Sequence, residues 1–269
     1  MQTDMSREER IMDATLNDAA AFFRVLGDAT RLAVIARLAR SDERLIGLST
    51  AIKQPAETVA AALADLQSAG LVVSRASDVH PGEMYYHLDL DQMQNRYLTA
   101  GRLIHPALVQ AITGVEEETV RRTKPRVLFL CTHNSARSQM AEGILRTFSR
   151  GEIEAFSAGS QPDSVHPLAI ETMDGMNVDI RNQRSKHYNE LIDQTFDYVI
   201  TVCDRAREVC PVFPGAKDTI HWSIPDPAAV EDEMERRRAF HQAATILATR
   251  IRYLQILIER EQREQAVMR

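Results

Sequence analysis

The chain has 269 residues, 44% of them hydrophobic, and 32 lysines and arginines against 38 aspartates and glutamates give it a formal net charge of -6. That length is enough for two buried cores, and the acidic balance excludes a general affinity for nucleic acid or an anionic membrane surface. No apolar run approaches the roughly 20 residues of a membrane span and the first ten residues are not a signal peptide, so a cytoplasmic protein with no membrane partner is expected.

Residues 1–16 are polar and charged, and Ala19–Leu26 then reads as an amphipathic helix. Gly27-Asp-Ala-Thr-Arg31 predicts a stop followed by a new N-cap, and Arg31–Arg40 a second helix. Leu45–Ile52 predicts a short third helix, and Pro55 opens a fourth that runs to Ala69 with Gly70 as its stop. Leu71–Arg75 and Met84–Leu90 read as strands joined through His80-Pro-Gly-Glu83. Asp91–Gly114 predicts a closing helix, weakened or kinked at Gly101 and Pro106.

That order, with Phe23-Arg-Val-Leu-Gly-Asp-Ala-Thr-Arg-Leu32, Leu63-Ala-Asp-Leu-Gln-Ser-Ala-Gly-Leu-Val72 and Tyr85-Tyr86, resembles the winged helix-turn-helix of the arsenic-responsive repressor family over about residues 15–112. The resemblance implies a homodimer built on the first and last helices, with DNA binding through Lys53, Arg75 and the wing. Two departures matter. Many sensors of that family carry a cysteine pair around the third helix, whereas Glu43-Arg-Leu-Ile-Gly-Leu-Ser49 has none, which excludes metalloid sensing by that route.

The fourth helix has Ala60 and Ala62 where the family usually places a serine and a histidine. It carries Glu57 and Asp65, has no lysine or arginine, and offers base edges only Thr58 and Gln67. Residues 1–113 hold 11 lysines and arginines against 14 acids, the wrong sign for a nucleic-acid footprint. Two readings of this domain therefore stand together: a DNA-binding dimer, and a module kept for dimerisation or protein contact.

Val115-Glu-Glu-Glu-Thr-Val-Arg-Arg-Thr-Lys-Pro125 has no apolar period and makes residues 114–125 an interdomain linker. From residue 126 strands and helices alternate. Arg126–Cys131, Glu154–Ser157, Tyr198–Val202 and Asp218–His221 are the predicted strands, and a long helix runs from about Glu231 to Glu261. Alternation of this kind implies a parallel sheet wrapped by helices. Ile246, Leu247, Ile251, Leu254 and Ile258 have the spacing of that last helix's inner face.

The first of these strands ends on Cys131, and Arg137 follows six residues later, at the start of a run with helical period. A strand that stops on a cysteine and leads through a short polar loop into a helix forms a cradle for a tetrahedral oxyanion, because loop amides and the helix dipole face inward. The loop and helix start, Thr132, His133, Asn134, Ser135, Ala136, Arg137 and Ser138, are the candidate oxyanion-binding residues. Cys131 is the candidate nucleophile, its sulfur needing the positive potential that the amides and Arg137 supply. Ser138 is placed to donate to the sulfur. A core thiol would explain neither the arginine at this offset nor the polar loop. His133 is given no catalytic role, and Lys186 is a candidate cation near the loop whose ordinary alternative is a solvated surface lysine.

All three cysteines, Cys131, Cys203 and Cys210, lie in this half. They fit a nucleophile and a redox pair better than a metal site, and no metal is expected. Across seven residues of helix Cys203 and Cys210 would be separated by about 10.5 Å of rise, whereas a disulfide tolerates about 7 Å, so the segment must loop or unwind when they pair. Asp226, in Ile224-Pro-Asp-Pro-Ala-Ala229, is a candidate general acid; Asp-Pro is also an ordinary turn.

Val127-Leu-Phe-Leu-Cys-Thr-His-Asn-Ser-Ala-Arg-Ser-Gln-Met-Ala-Glu142, with Phe156-Ser-Ala-Gly-Ser160, Val199-Ile-Thr-Val-Cys-Asp204 and His221-Trp-Ser-Ile-Pro-Asp-Pro-Ala228, resembles the arsenate reductases built on the low-molecular-weight tyrosine phosphatase fold, over about residues 125–260. The resemblance implies that Cys131 attacks arsenate, that Cys203 attacks the adduct and releases arsenite, and that Cys210 takes over the disulfide, which thioredoxin then reduces without any bound cofactor. It also makes Asp226 the acid. Phosphatases of this fold usually place aromatic residues just after the Asp-Pro, and Ala228 and Ala229 stand there instead, favouring a small oxyanion. The expected fold class is thus two domains: a mainly α winged helix-turn-helix (1–113), followed by an α/β domain with a parallel sheet (126–269). The expected function is arsenate reduction. The alternatives are a low-molecular-weight protein phosphatase, or a transcriptional regulator with the C-terminal domain as sensor.

Overall fold

The computed structural model describes residues 7–104, 124–213 and 215–267, and divides into two compact units, residues 1–75 with 84–121 and residues 76–83 with 122–269. The predicted linker at 114–125 falls almost wholly outside the described residues, as does Pro106. Among the described residues no helix is long and apolar enough to cross a membrane.

The first unit runs α1 (Arg7–Leu26), α2 (Ala29–Leu38), β1 (Glu43–Arg44), α3 (Leu45–Ile52), α4 (Ala56–Ser68), β2 (Val72–Ala76), β3 (Met84–Leu88) and α5 (Leu90–Ile104). Asp28 caps α2 by accepting from the Arg31 N–H at 2.9 Å, which places the start two residues earlier than the apolar period suggested. Lys53, in the left-handed region at φ 55°, ends α3 and turns the chain into α4, which Pro55 opens. The three strands form one sheet in the order β1-β3-β2. The two-residue β1 was not expected from the sequence; it pairs antiparallel with β3 through Glu43–Tyr86 and Arg44–Tyr85.

The strand expected to run to Leu90 stops at Leu88 because Asp89 caps a helix instead: its side chain accepts from the Gln92 N–H at 2.9 Å. Helix α5 then continues through Gly101. Phe22, Leu38, Leu48, Leu63, Leu66 and Leu71 are at the centre of this unit's core. Ala62 is also buried there, so of the two alanines that replace the resembled family's serine and histidine only Ala60 faces outward.

The second unit alternates as expected: β4 (Arg126–Cys131), α6 (Arg137–Phe148), β5 (Glu154–Gly159), α7 (Pro167–Gly175), β6 (Tyr198–Thr201), α8 (Asp204–Val209), β7 (Asp218–His221) and α9 (Glu233–Val267). The sheet order is β5-β4-β6-β7, with all three pairings parallel. Strand β4 is apolar at nearly every position because both its faces are covered. Val127, Phe129 and Cys131 join the core under α6 and α9, while Leu128 and Leu130 join a second cluster with Phe196, Val199 and Phe213 on the other face.

The chain leaves β4 for β5 on one side, and β6 lies on the other, so the carboxyl end of β4 is the switch point where such sheets open a crevice. Helix α9 keeps Leu247, Ile251, Leu254 and Ile258 buried, with Ile246 at the edge, as its period predicted.

Candidate active site

The loop after β4 wraps the Cys131 sulfur. Sγ accepts from the Asn134 N–H at 3.1 Å and lies 2.9 Å from Ser138 Oγ. Three outward backbone bonds hold the loop in shape: the Thr132, His133 and Ser135 carbonyls accept from the N–H groups of Gln161, Asp163 and His166, each at 2.9 Å. Asn134 stands at φ 45°, a conformation asparagine tolerates better than most residues. Gly159, at the end of β5, has to be glycine, since a Cβ there would stand 2.5 Å from the Thr132 carbonyl oxygen and 2.9 Å from the Asn134 nitrogen.

Behind the loop is a chain of buried side chains whose hydrogens can be assigned. Ser157 donates its hydroxyl to Glu142 Oε2 at 2.5 Å, and Asn134 Nδ2 donates to both Ser157 Oγ and Ser138 Oγ at 2.9 Å. Ser138 therefore has its own hydrogen left for the sulfur. Gln139 ties Asn134 to the next loop by donating to the Asn134 and Arg184 carbonyls at 3.0 Å, and Ser185 donates to the same Asn134 carbonyl at 2.6 Å. Lys186 is turned inward, its Nζ 3.5 Å from Glu142 Oε2 and its side chain only 14% exposed, which removes the reading of a solvated surface lysine. Glu142, Ser157, Gln139 and Ser185 were not singled out from the sequence; Glu142 alone had a signal, as an acid on the inner face of a helix that opens at the cradle.

Arg137, the first residue of α6, is buried. Its guanidinium donates to the Ile224 carbonyl at 2.9 Å and pairs with Asp226 Oδ2 at 2.9 Å. The two residues the sequence nominated as anion ligand and acid thus stand together at the mouth of the cradle, and Asp226 is held by accepting from the Ala228 N–H at 3.1 Å. Ala228 and Ala229, in the short turn that follows it, contribute no aromatic ring. His133 is exposed, and its ring Nδ1 lies 3.2 Å from the Gln161 carbonyl oxygen. His166, whose N–H holds Ser135, stacks on Phe240, and burial lowers its pKa further from neutral pH.

The three thiols are unbonded. Cys203 is buried at the N-cap of α8, accepting from the Ala206 N–H at 3.4 Å, with its sulfur 3.5 Å from Thr132 Oγ1 in the loop. The β4–β6 register brings them together: Leu130 pairs with Thr201, so the loop and the residues after β6 leave the sheet side by side. Cys210 is half-buried at the other end of α8, where Pro211 follows.

Burial pushes the Cys131 thiol above its ordinary value and the Cys203 sulfur adds to this, while Arg137 and the Ser138 hydroxyl pull it down without overcoming the desolvation. Burial, and then the neighbouring Cys203 and Cys131 sulfurs, push Cys210 up to about 12. Among the described residues no group of three or more His, Cys, Asp or Glu side chains is arranged to hold a metal ion.

The family described as low molecular weight phosphotyrosine protein phosphatase matches residues 126–265. A protein named arsenate reductase from Halalkalibacterium halodurans is 39% identical over 116 residues, 43% of this chain and 84% of its own length. One of the same name from Bacillus cereus is 40% identical over 116 residues, covering 43% and 87%. A solved structure described as an arsenate reductase in the phosphate binding state is 30% identical, covers 48% of this chain and 95% of its own, and has a TM-score of 0.43. Through residues 126–265, the chain belongs to the low molecular weight phosphotyrosine protein phosphatase family.

Proposed function

We propose that the second unit reduces arsenate to arsenite through a relay of three thiols, with thioredoxin as the electron donor. The observation that carries this reading is the thiol arrangement: one sulfur wrapped by the cradle, a second against the cradle's Thr132, and a third at the far end of the six-residue helix between them. Relatives named arsenate reductase support the same substrate. A low molecular weight protein phosphatase needs only the first sulfur, so that alternative leaves Cys203 and Cys210 unexplained.

The inward amides of residues 132–138 and the Arg137 fork hold the arsenate oxygens. The Cys131 sulfur attacks arsenic, Asp226 protonates a departing oxygen, and water leaves as the sulfur–arsenic bond forms. Cys203 then attacks the Cys131 sulfur. A disulfide bond forms, the sulfur–arsenic bond breaks with its electron pair left on arsenic, and arsenic(V) departs as arsenic(III) in arsenite. Cys210 next attacks Cys203, frees Cys131, and leaves the Cys203–Cys210 disulfide for exchange with a reduced dithiol. Cys210 is half-buried and flanked by exposed Val209 and Val212, an apolar setting suited to a docking carrier protein. The two electrons and two protons come from thioredoxin, and the products are arsenite and water.

Arsenate-dependent NADPH oxidation, coupled through thioredoxin and thioredoxin reductase, tests the relay. Wild type turns over, and Cys131→Ser, Cys203→Ser and Cys210→Ser each fall to background. Turnover retained in Cys203→Ser or Cys210→Ser removes the relay and restores the hydrolase; turnover retained in Cys131→Ser removes the site.

The first unit is read as a winged helix-turn-helix that forms a homodimer. Support comes from the α3–turn–α4 pair followed by a hairpin and a closing helix. The outward side of α4 presents Glu57, Thr58, Ala60, Ala61, Ala64, Asp65 and Gln67, with no cation, and Asp65 is paired to Arg31 at 2.8 Å. That surface favours protein contact over sequence-specific DNA readout, and so weighs against a transcriptional regulator with a C-terminal sensor.

A further inference from the structure

Cys203 is followed by Asp204, a wholly buried side chain that the relay itself leaves without a role. Ser223 donates to Asp204 Oδ1 at 2.7 Å, and His221 Nε2 lies 3.4 Å from the same oxygen. The other ring nitrogen of His221 is 2.8 Å from Thr201 Oγ1, across the paired positions Thr201 and His221 of β6 and β7. Thr201, His221 and Ser223 are themselves buried. A carboxylate out of water is costly unless donors hold it, and Asp204 is held from outside α8, its Oδ2 accepting from the Asp78 N–H at 2.9 Å. The cluster therefore fastens the first residue of α8, and with it the neighbouring Cys203, to the end of β7. At the other end Cys210 is half-buried, Val209 and Val212 face outward, and Glu208 Oε1 lies 3.3 Å from His80 Nε2.

We infer that Asp204, held by Ser223 and His221, is a positioning residue for the second thiol. It keeps Cys203 against the cradle, where it can strike the Cys131–arsenic adduct. This rests on the relay described above. The chemistry is unchanged: Cys203 forms a bond to the Cys131 sulfur as the sulfur–arsenic bond breaks, with arsenic taking the electron pair.

The test uses the full chain carrying Cys210→Ser, in which arsenate drives the relay no further than a Cys131–Cys203 disulfide. Its formation is followed by rapid acid quench and non-reducing peptide mass analysis. Adding Asp204→Asn slows that step by about tenfold or more, the order expected when a buried charged hydrogen-bond partner is lost, and leaves the affinity for inorganic phosphate unchanged. Ser223→Ala gives a smaller loss in the same direction and carries the test if Asp204→Asn does not fold. Disulfide formation as fast as in the parent, in either folded variant, overturns the inference. So does an equal loss of phosphate affinity, which would mark a general collapse of the site. A Cys210→Ser parent that forms no Cys131–Cys203 disulfide overturns the relay reading instead.

Discussion

At the scale of single residues, the cradle depends on Gly159 as much as on the cysteine it surrounds. Its missing Cβ is what lets the Thr132 carbonyl and the Asn134 amide pass close by. Gly159→Ala is expected to cost about 1–3 kcal/mol of stability through overpacking, and to weaken phosphate binding because the loop must shift. Thermal unfolding and a phosphate titration check both, and an alanine variant with full phosphate affinity would show that the loop is not confined there. Cys210 makes a pH prediction. Its thiol is held at about 12 when folded, against about 8.5 for a free thiol, so between those values the folded chain binds more protons than the unfolded one. The stabilisation is intact below pH 8.5 and is lost as pH rises toward 12. Urea unfolding at pH 8 and pH 10 should show that loss, and Cys210→Ser should reduce the slope; an unchanged slope would mean that burial of this thiol does not matter to stability. Cys131 and Arg137 could be read from the chain because their spacing is local. Glu142, Ser157 and Gln139 could not, because their hydrogen bonds join a helix, a strand and a loop that only the fold brings together.

At the scale of elements, α8 is the part whose structure must change in the proposed cycle. Six helical residues separate Cys203 from Cys210, and about 10.5 Å of helical rise cannot be spanned by a disulfide limited to about 7 Å. Closing the bond therefore unwinds α8. Amide hydrogen exchange of residues 204–210 should be faster in the oxidised protein than in the reduced one, with β4 and β6 unchanged; equal protection in both states would mean that the two cysteines do not pair. The last helix was the opposite case. Its apolar period alone marked Leu247, Ile251, Leu254 and Ile258 as buried, and a long regular helix has few other ways to hide them. Strand β1 escaped notice since two residues have no period, and Asp89 was read as strand because its capping bond appears only once the turn exists.

At the scale of the whole molecule, charge sets the expectation for nucleic acid. The chain carries a net charge of -6, and α4 has no lysine or arginine with which to neutralise phosphate. In a gel-shift assay with the duplex upstream of its own coding sequence, near physiological salt, binding should be no tighter than to unrelated DNA. A specific, salt-resistant shift would restore the regulator. Sequence by itself determined the candidate cysteine, its arginine, the alternation of strands and helices, and the two-part organisation, because each is written in short-range spacing and apolar period. Tertiary structure alone decided that Arg137 meets Asp226, that Lys186 turns inward to Glu142, and that Asp204 is held by Ser223 beyond β7. Those contacts join residues far apart in the chain, and only the packing of helices and loops on the sheet fixes which of them meet.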